Sequence, residues 1–234
     1  MTQRINLNEL EPETDYQTKG ARNIRDNSRA SGGTTVYFRN LVERLCEHIS
    51  NAHLVMGCVA WLTHPKILEA LQGPSTAIVV QKEDFLRPDL GASTNWKADL
   101  RRRYNSLHCN VARFEFSNLL SELDTCGDPI ITPVRCVGNY NKEKSPAFPR
   151  MHNKFLIFAR VEDCEHCSEV VPYAVWTGSF NLTYNAANSL ENAVLLTDPE
   201  IVRAFYEEYG QIMALSEPLD WESEWSAPEW RIGS

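Results

Sequence analysis

Short apolar runs alternate with amphipathic stretches along this chain. Residues 1–33 are polar, include RDNSRASGG and show little periodicity, which predicts an extension ahead of the folded body. From Thr34 an amphipathic helix is predicted, because Phe38, Leu41, Leu45 and Ile49 recur at spacings of three and four. LVMGCVAWL then reads as a buried strand, and PKILEALQG as a helix with proline at its start and glycine past its end. TAIVVQ is a predicted strand, NWKADLRRRYNSL a helix, and NVARFEF and PVRCVGNY strands. HNKFLIF, YAVWTGS and NAVLLTD complete the strands, before a long helix over PEIVRAFYEEYGQIMAL led by Asp198 and Pro199. Strands alternating with helices predict one α/β domain over residues 34–215, built on a mixed, largely parallel β-sheet flanked by helices on both faces. Residues 216–234 hold Trp221, Trp225 and Trp230, which are costly to leave in water, so this tail is expected to pack on the body.

Composition narrows the class. At 234 residues the chain is long enough to bury a sizeable core, and 43% hydrophobic with 23% charged residues is ordinary for a globular protein. The polar, acidic N-terminus lacks the apolar heart of a signal peptide, and no apolar run approaches spanning length. These features predict a cytoplasmic protein without a membrane partner. Seven cysteines form an odd set that suits reduced thiols. Cys164 and Cys167 frame His166, and with Cys126 and Cys136 they make a candidate zinc set. Reduced thiols in a surface loop are the competing reading, because a single CxxC carries little information. A net charge of −8 argues mildly against a nucleic-acid partner, but a local basic cleft can sit on an acidic protein. Lys97, Arg101, Arg102 and Arg103 on the predicted helix NWKADLRRRYNSL offer such a phosphate-contact patch, against the alternative of a solvated helix face.

The densest chemistry lies in the C-terminal half. His152 and Lys154 are two apart at the head of a predicted strand, so their side chains share one face. The second strand, YAVWTGS, stops at Gly178, and a turn there would aim Ser179, Asn181 and nearby N–H groups at one spot. Glu191 follows in a polar segment, where a carboxylate can orient an imidazole. A neutral imidazole can attack phosphorus and split a difficult displacement into two steps. A lysine neutralises phosphate oxygens, and hydroxyl and amide donors stabilise the charge that shifts during transfer. This equipment suits phosphodiester cleavage without a metal or other cofactor. A second imidazole is needed to protonate the leaving oxygen. His-x-Lys is read here as a single pair with no second copy, so that imidazole is expected from a second copy of the chain, across the two-fold axis of a homodimer.

The stretch from Arg150 to Asp198 resembles the phospholipase D superfamily, in its small, single-motif, dimeric nuclease branch. His152, Lys154, Gly178, Ser179, Asn181 and Glu191 match that pattern in order, and Ala60–Leu71 is similar to its first strand and helix. The resemblance implies a phospholipase D-like fold, with His152 as nucleophile and its partner-chain copy as general acid. It further implies phosphate binding by Lys154, Ser179 and Asn181, and a histidine-orienting role for Glu191. One position departs: the superfamily's motif aspartate falls on Ala159, with Asp163 the nearest substitute. The expected function is therefore a metal-independent phosphodiesterase, a nuclease acting on DNA or RNA, with targeting left to a partner protein. The alternatives are a catalytically degenerate binding or scaffold module, which Ala159 favours, and a phospholipase acting on membrane lipid.

Overall fold

Alternating burial in the central strands explains how two cores form on one sheet. The computed structural model describes residues 6–9, 25–81, 95–113, 123–124, 131–137, 151–163, 168–219 and 221. In chain order its strands and helices are β1 (Arg29–Ser31), β2 (Thr34–Tyr37), α1 (Leu41–Ser50), β3 (Leu54–Val59), α2 (Pro65–Ala70), β4 (Ser75–Gln81) and α3 (Trp96–Asn105). There follow β5 (Ala112–Arg113), β6 (Leu123–Asp124), β7 (Val134–Val137), β8 (Lys154–Asp163), β9 (Ser168–Gly178), α4 (Tyr184–Ala187), β10 (Ala193–Leu196), α5 (Pro199–Ala214) and β11 (Glu217–Pro218). Val55, Val59, Ile78, Val80, Leu156 and Phe158 face one side, where α1, α2 and α3 pack through Leu45, Ile49, Ile67, Leu68 and Leu100. Their neighbours Leu54, Met56, Cys58, Ala77, Val79, Phe155 and Ile157 face the other side, against Val202, Tyr209 and Met213 of α5. The period of two sorts these side chains, and each fully buried aliphatic contributes roughly 1.5–3 kcal/mol. Helices thus cover both faces, as expected.

The sheet runs β1-β2-β10-β9-β8-β3-β4-β7-β11, with β6 joined to β9 and β5 to β6. It is mixed, but the expected predominance of parallel pairing is corrected. Among the described residues only β3–β4 and β4–β7 are parallel, while β8 runs antiparallel to both β3 and β9, and β10 antiparallel to both β9 and β2. The physical reason is connection length. Parallel neighbours need a crossover of a dozen residues or more, which α2 supplies within the link between β3 and β4. The four residues between β8 and β9 allow only a reversal.

Two further corrections concern the N-terminal part. The helix predicted from Thr34 begins at Leu41: Thr34–Tyr37 is a strand paired with β10, and Asn40, at φ 56°, turns the chain into the helix. The β-branched residues Thr34, Thr35 and Val36 favour that strand, and the sheet edge decides the conflict with helical periodicity. The segment expected as an extension also contributes β1, which pairs with β2. At the other end Trp221 is buried beside Tyr104, with ring centroids 5.8 Å apart. Trp225 and Trp230 lie outside the described residues. Asp198 caps α5 by accepting from the N–H groups of Glu200 and Ile201, also as expected.

Gly57 fixes how closely β3 and β8 approach. Its φ is +155°, and a Cβ there would stand 2.2 Å from the Phe155 carbonyl oxygen and 2.9 Å from Leu156 Cα. Gly57→Ala is expected to cost roughly 3 kcal/mol through combined backbone strain and overpacking. Urea unfolding checks this; a midpoint within error of wild type would refute the close-approach argument.

Candidate active site

Four strand ends converge at one edge of the sheet. Val59 of β3 pairs with Lys154 of β8, Phe155 with Thr177 of β9, and Gly178 with Ala193 of β10. Hydrogen bonds hold the segment entering β8: the Met151 N–H donates to Gln81 Oε1 at 2.8 Å, and the Ala60 N–H donates to the Asn153 carbonyl at 2.9 Å. Gln81, at the end of β4, is buried. The Thr177 hydroxyl donates to the Lys154 carbonyl at 3.0 Å. His152 is therefore presented by a framed backbone while its side chain stays exposed.

Lys154 Nζ lies 3.2 Å from His152 Nδ1 and donates to the His152 carbonyl at the same distance. The expected same-face pairing is thus seen directly. Burial lowers the Lys154 pKa, and the nearby Glu191 carboxylate opposes the shift. The Trp61 ring meets the His152 ring edge-on, with centroids 5.4 Å apart. Gly178 is required where it stands: φ is +149°, and a Cβ would lie 2.4 Å from the Asn192 carbonyl oxygen. The Ser179 N–H donates to that carbonyl at 3.1 Å. The Ser179 hydroxyl donates to Glu191 in a short bond and accepts from the Asn192 N–H at 3.1 Å. Glu191 is therefore held by Ser179 and acts electrostatically on Lys154. Asn181 is placed by the bridge between Leu62 and Leu182, and among the described residues its buried Oδ1 has no hydrogen-bond partner, and neither has Trp61 Nε1. Orphaned buried polar atoms are rare, and two at one strand edge suit a hydrogen-bonding ligand.

The structure brings together His152, Lys154, Gly178, Ser179 and Glu191, with Asn181 on the adjoining turn. It treats the basic helix differently. On α3, Lys97 Nζ donates to the Trp221 carbonyl at 2.9 Å, and Arg102 and Arg103 both turn onto Asp99. Arg101 is exposed. Ala159 is fully buried among Phe155, Ile157 and Val175, on the face opposite Leu156 and Phe158, so a carboxylate there would sit in an apolar core. Asp163 cannot replace it at the site. It ends β8, roughly 30 Å from Lys154 at ~3.3 Å per residue, and accepts from the Ser168 hydroxyl. Of the zinc candidates, Cys136 is buried and its thiol donates to Glu217 Oε1 at 3.8 Å, and Cys126, Cys164 and Cys167 lie outside the described residues.

Four participants escaped the sequence reading. Trp61, Gln81 and Asn192 carry no local motif and are found only through long-range pairing. The fourth had a signal: His64 and Lys66 repeat the His-x-Lys spacing, so the expectation of a single such pair is corrected. They differ in setting. His64 precedes α2 and is 5% exposed, with its ring stacked on Tyr184, while Lys66 lies within the helix and pairs with exposed Glu43. Among the described residues, no helix is long and apolar enough to cross a membrane.

His-x-Lys at a strand head, a Gly-Ser-x-Asn turn and a Glu, in that order on a mixed α/β sheet, are the features on which the resemblance to the phospholipase D superfamily stands. The chain belongs to the family of the uncharacterized protein L381 of Acanthamoeba polyphaga mimivirus, with 32% identity over 228 residues, 94% of this chain and 75% of that protein. No family model matches it. Solved structures similar to it include the phospholipase D family member Nuc from Salmonella typhimurium, at TM-score 0.46 and 18% identity over 80% of this chain and 97% of that one. NucT from Helicobacter pylori scores 0.48 at 17% identity, over 80% and 98% of the two chains.

The lowered Lys154 pKa fixes a pH dependence. The folded chain gives up this proton before the unfolded chain, whose value is 10.5. Unfolding therefore takes up a proton between the lowered folded value and 10.5, and a penalty present in full at neutral pH fades as pH rises through that window. The stability of wild type relative to Lys154→Met should accordingly rise on titration from neutral pH to pH 10.5. A difference that stays flat in denaturant melts would refute burial of the ammonium.

Proposed function

We propose that this chain is a metal-independent nuclease that cleaves phosphodiester bonds through a phosphohistidine on His152, at a site shared across a homodimer. The observation that carries this reading is the contact between His152 and Lys154, placed beside the Ser179–Glu191 pair on adjoining strand ends. The imidazole nitrogen of His152 forms the bond to phosphorus as the bond to the leaving oxygen breaks. A protonated imidazole, the partner subunit's His152, gives its proton to that oxygen. Water then attacks phosphorus, the same imidazole takes a proton from it, and the phosphorus–nitrogen bond breaks to release the phosphate monoester. Lys154 neutralises the equatorial oxygens, and the Asn181 amide adds a neutral hydrogen-bonding group. Charge neutralisation by the Lys154 ammonium takes the part that a metal ion plays in other phosphoryl transfers.

Two features bear on the alternatives. Ala159 is the ground for an inactive binding module, but its position faces a core away from Lys154, which supports the active reading. His64 is the other histidine in a His-x-Lys pair; its burial against Tyr184 favours the partner subunit as the source of the acid.

Purified protein incubated with labelled DNA and RNA in excess EDTA tests the reading. Cleavage is expected from wild type, with a loss of at least ~10⁴-fold in His152→Ala and an unchanged fold by circular dichroism. Light scattering should give twice the 26.7 kDa chain mass. Cleavage retained in His152→Ala would overturn the nucleophile assignment, and an active monomer would overturn the shared site. Lipid-vesicle hydrolysis with no nucleic-acid cleavage would favour the phospholipase reading.

A further inference from the structure

On the far side of the loop that joins Asn181 to Glu191 lies a cavity of about 520 Å³ that the proposed chemistry does not use. Its walls come from the N-terminal turn at Leu7–Glu9, the start of α1, the start of α2 and residues 184–189. The cavity is bound directly to the candidate active site. The Thr63 and His64 N–H groups both donate to the Leu182 carbonyl at 2.9 Å, one residue beyond Asn181. At its other end, Ser189 stands two residues before Glu191. One loop therefore forms a wall of the cavity and supplies two residues of the site.

The lining is built for a flat, neutral, hydrogen-bonding group. His64 is 5% exposed, and its Nδ1 is buried without a partner among the described residues. Burial, reinforced by the Lys66 ammonium, lowers the His64 pKa, leaving a neutral ring with one donor and one acceptor nitrogen. The ring stacks on Tyr184 at a centroid distance of 6.1 Å and an angle of 17°, and Tyr184 is 49% exposed. Asn40 and Asn188 add side-chain amides, which carry both donors and acceptors. The two cations in the lining, Arg39 and Lys66, are matched by Asp26 and Glu43, so the cavity has no strong bias for a phosphate. A polar planar ring is what these groups recognise: amides read its edge, and an aromatic face takes its plane.

We infer that this cavity seats an unpaired nucleobase next to the scissile phosphate, which makes single-stranded nucleic acid the preferred substrate; the inference rests on the nuclease reading above. In a duplex, bases are stacked and their edges are already paired, so a cavity of this kind is reached only from a single strand or by costly extrusion. Tyr184 stacks on the base with the face turned away from His64, while the Asn40 and Asn188 amides bond its edge.

Binding in the His152→Ala background tests this without turnover. A fluorescent ten-nucleotide single strand and its duplex are titrated in EDTA and followed by anisotropy. The single strand should bind more tightly than the duplex. Adding Tyr184→Ala should weaken single-strand binding roughly 5- to 100-fold, and Tyr184→Phe, which keeps the ring, should restore it. Thermal melts of each variant establish that the fold is kept. If the single strand binds but is indifferent to Tyr184→Ala, or if the duplex binds better, this inference fails and the nuclease reading stands. If neither strand form binds and wild type cleaves neither, both fail together.

Discussion

The fixed register of β8 between β3 and β9 is the constraint on which the rest of this structure depends. Nine residues of β8 are paired on one side with β9, and six on the other side with β3. A slip of one residue would turn His152 and Lys154 to the opposite face and would drive Phe155 and Ile157 into the wrong core. Two glycines make the register tight. Gly57 lets β3 close on the Phe155 carbonyl, and Gly178 lets the end of β9 close on Asn192. The chemistry at the sheet edge is thus a consequence of backbone packing several residues inside it.

That dependence explains what was legible in the sequence. The His152–Lys154 face needs only the period of a strand, which is local, and the structure keeps it. Gly178 was readable as a turn, but its reason, a carbonyl fourteen residues later, was not. Buried strands have the same apolar look in parallel and antiparallel ladders, so the pairing direction was misread where β8, β9 and β10 reverse. The helical spacing of Phe38, Leu41, Leu45 and Ile49 says nothing of where the helix begins, and pairing with β10 is what makes Thr34–Tyr37 a strand. The α3 cations looked available as a list of residue types, whereas Asp99 and the Trp221 carbonyl hold three of them. Trp61 reaches His152, and Gln81 the Met151 N–H beside it, through contacts that no local pattern announces.

The site also resolves an electrostatic conflict. A carboxylate beside a phosphate would repel it, yet Glu191 sits among the groups proposed to hold one. Ser179 donates to Glu191, and Lys154 lies close enough to feel its charge, so the carboxylate is balanced inside the chain. The Asn192 N–H completes the arrangement by donating back to the Ser179 hydroxyl. Burial weakens the Lys154 ammonium and Glu191 strengthens it, which leaves the cation tuned by the residue it neutralises.

The contact between the N-terminal turn and the 187–189 loop carries a consequence for how the chain is made. Leu7 N–H donates to the Asn188 carbonyl, and the Asn8 side chain bonds the carbonyls of Ala187 and Ser189, across separations of 179 and 181 residues. At ~5–20 residues per second of synthesis, the turn waits on the order of ten seconds or longer for its partner to emerge. Contacts that close so long a loop are slow to form. The loop bearing Asn181 and Glu191 therefore gains this clasp late, after the central strands can pair, and a nascent chain holds its sheet before it holds its complete site.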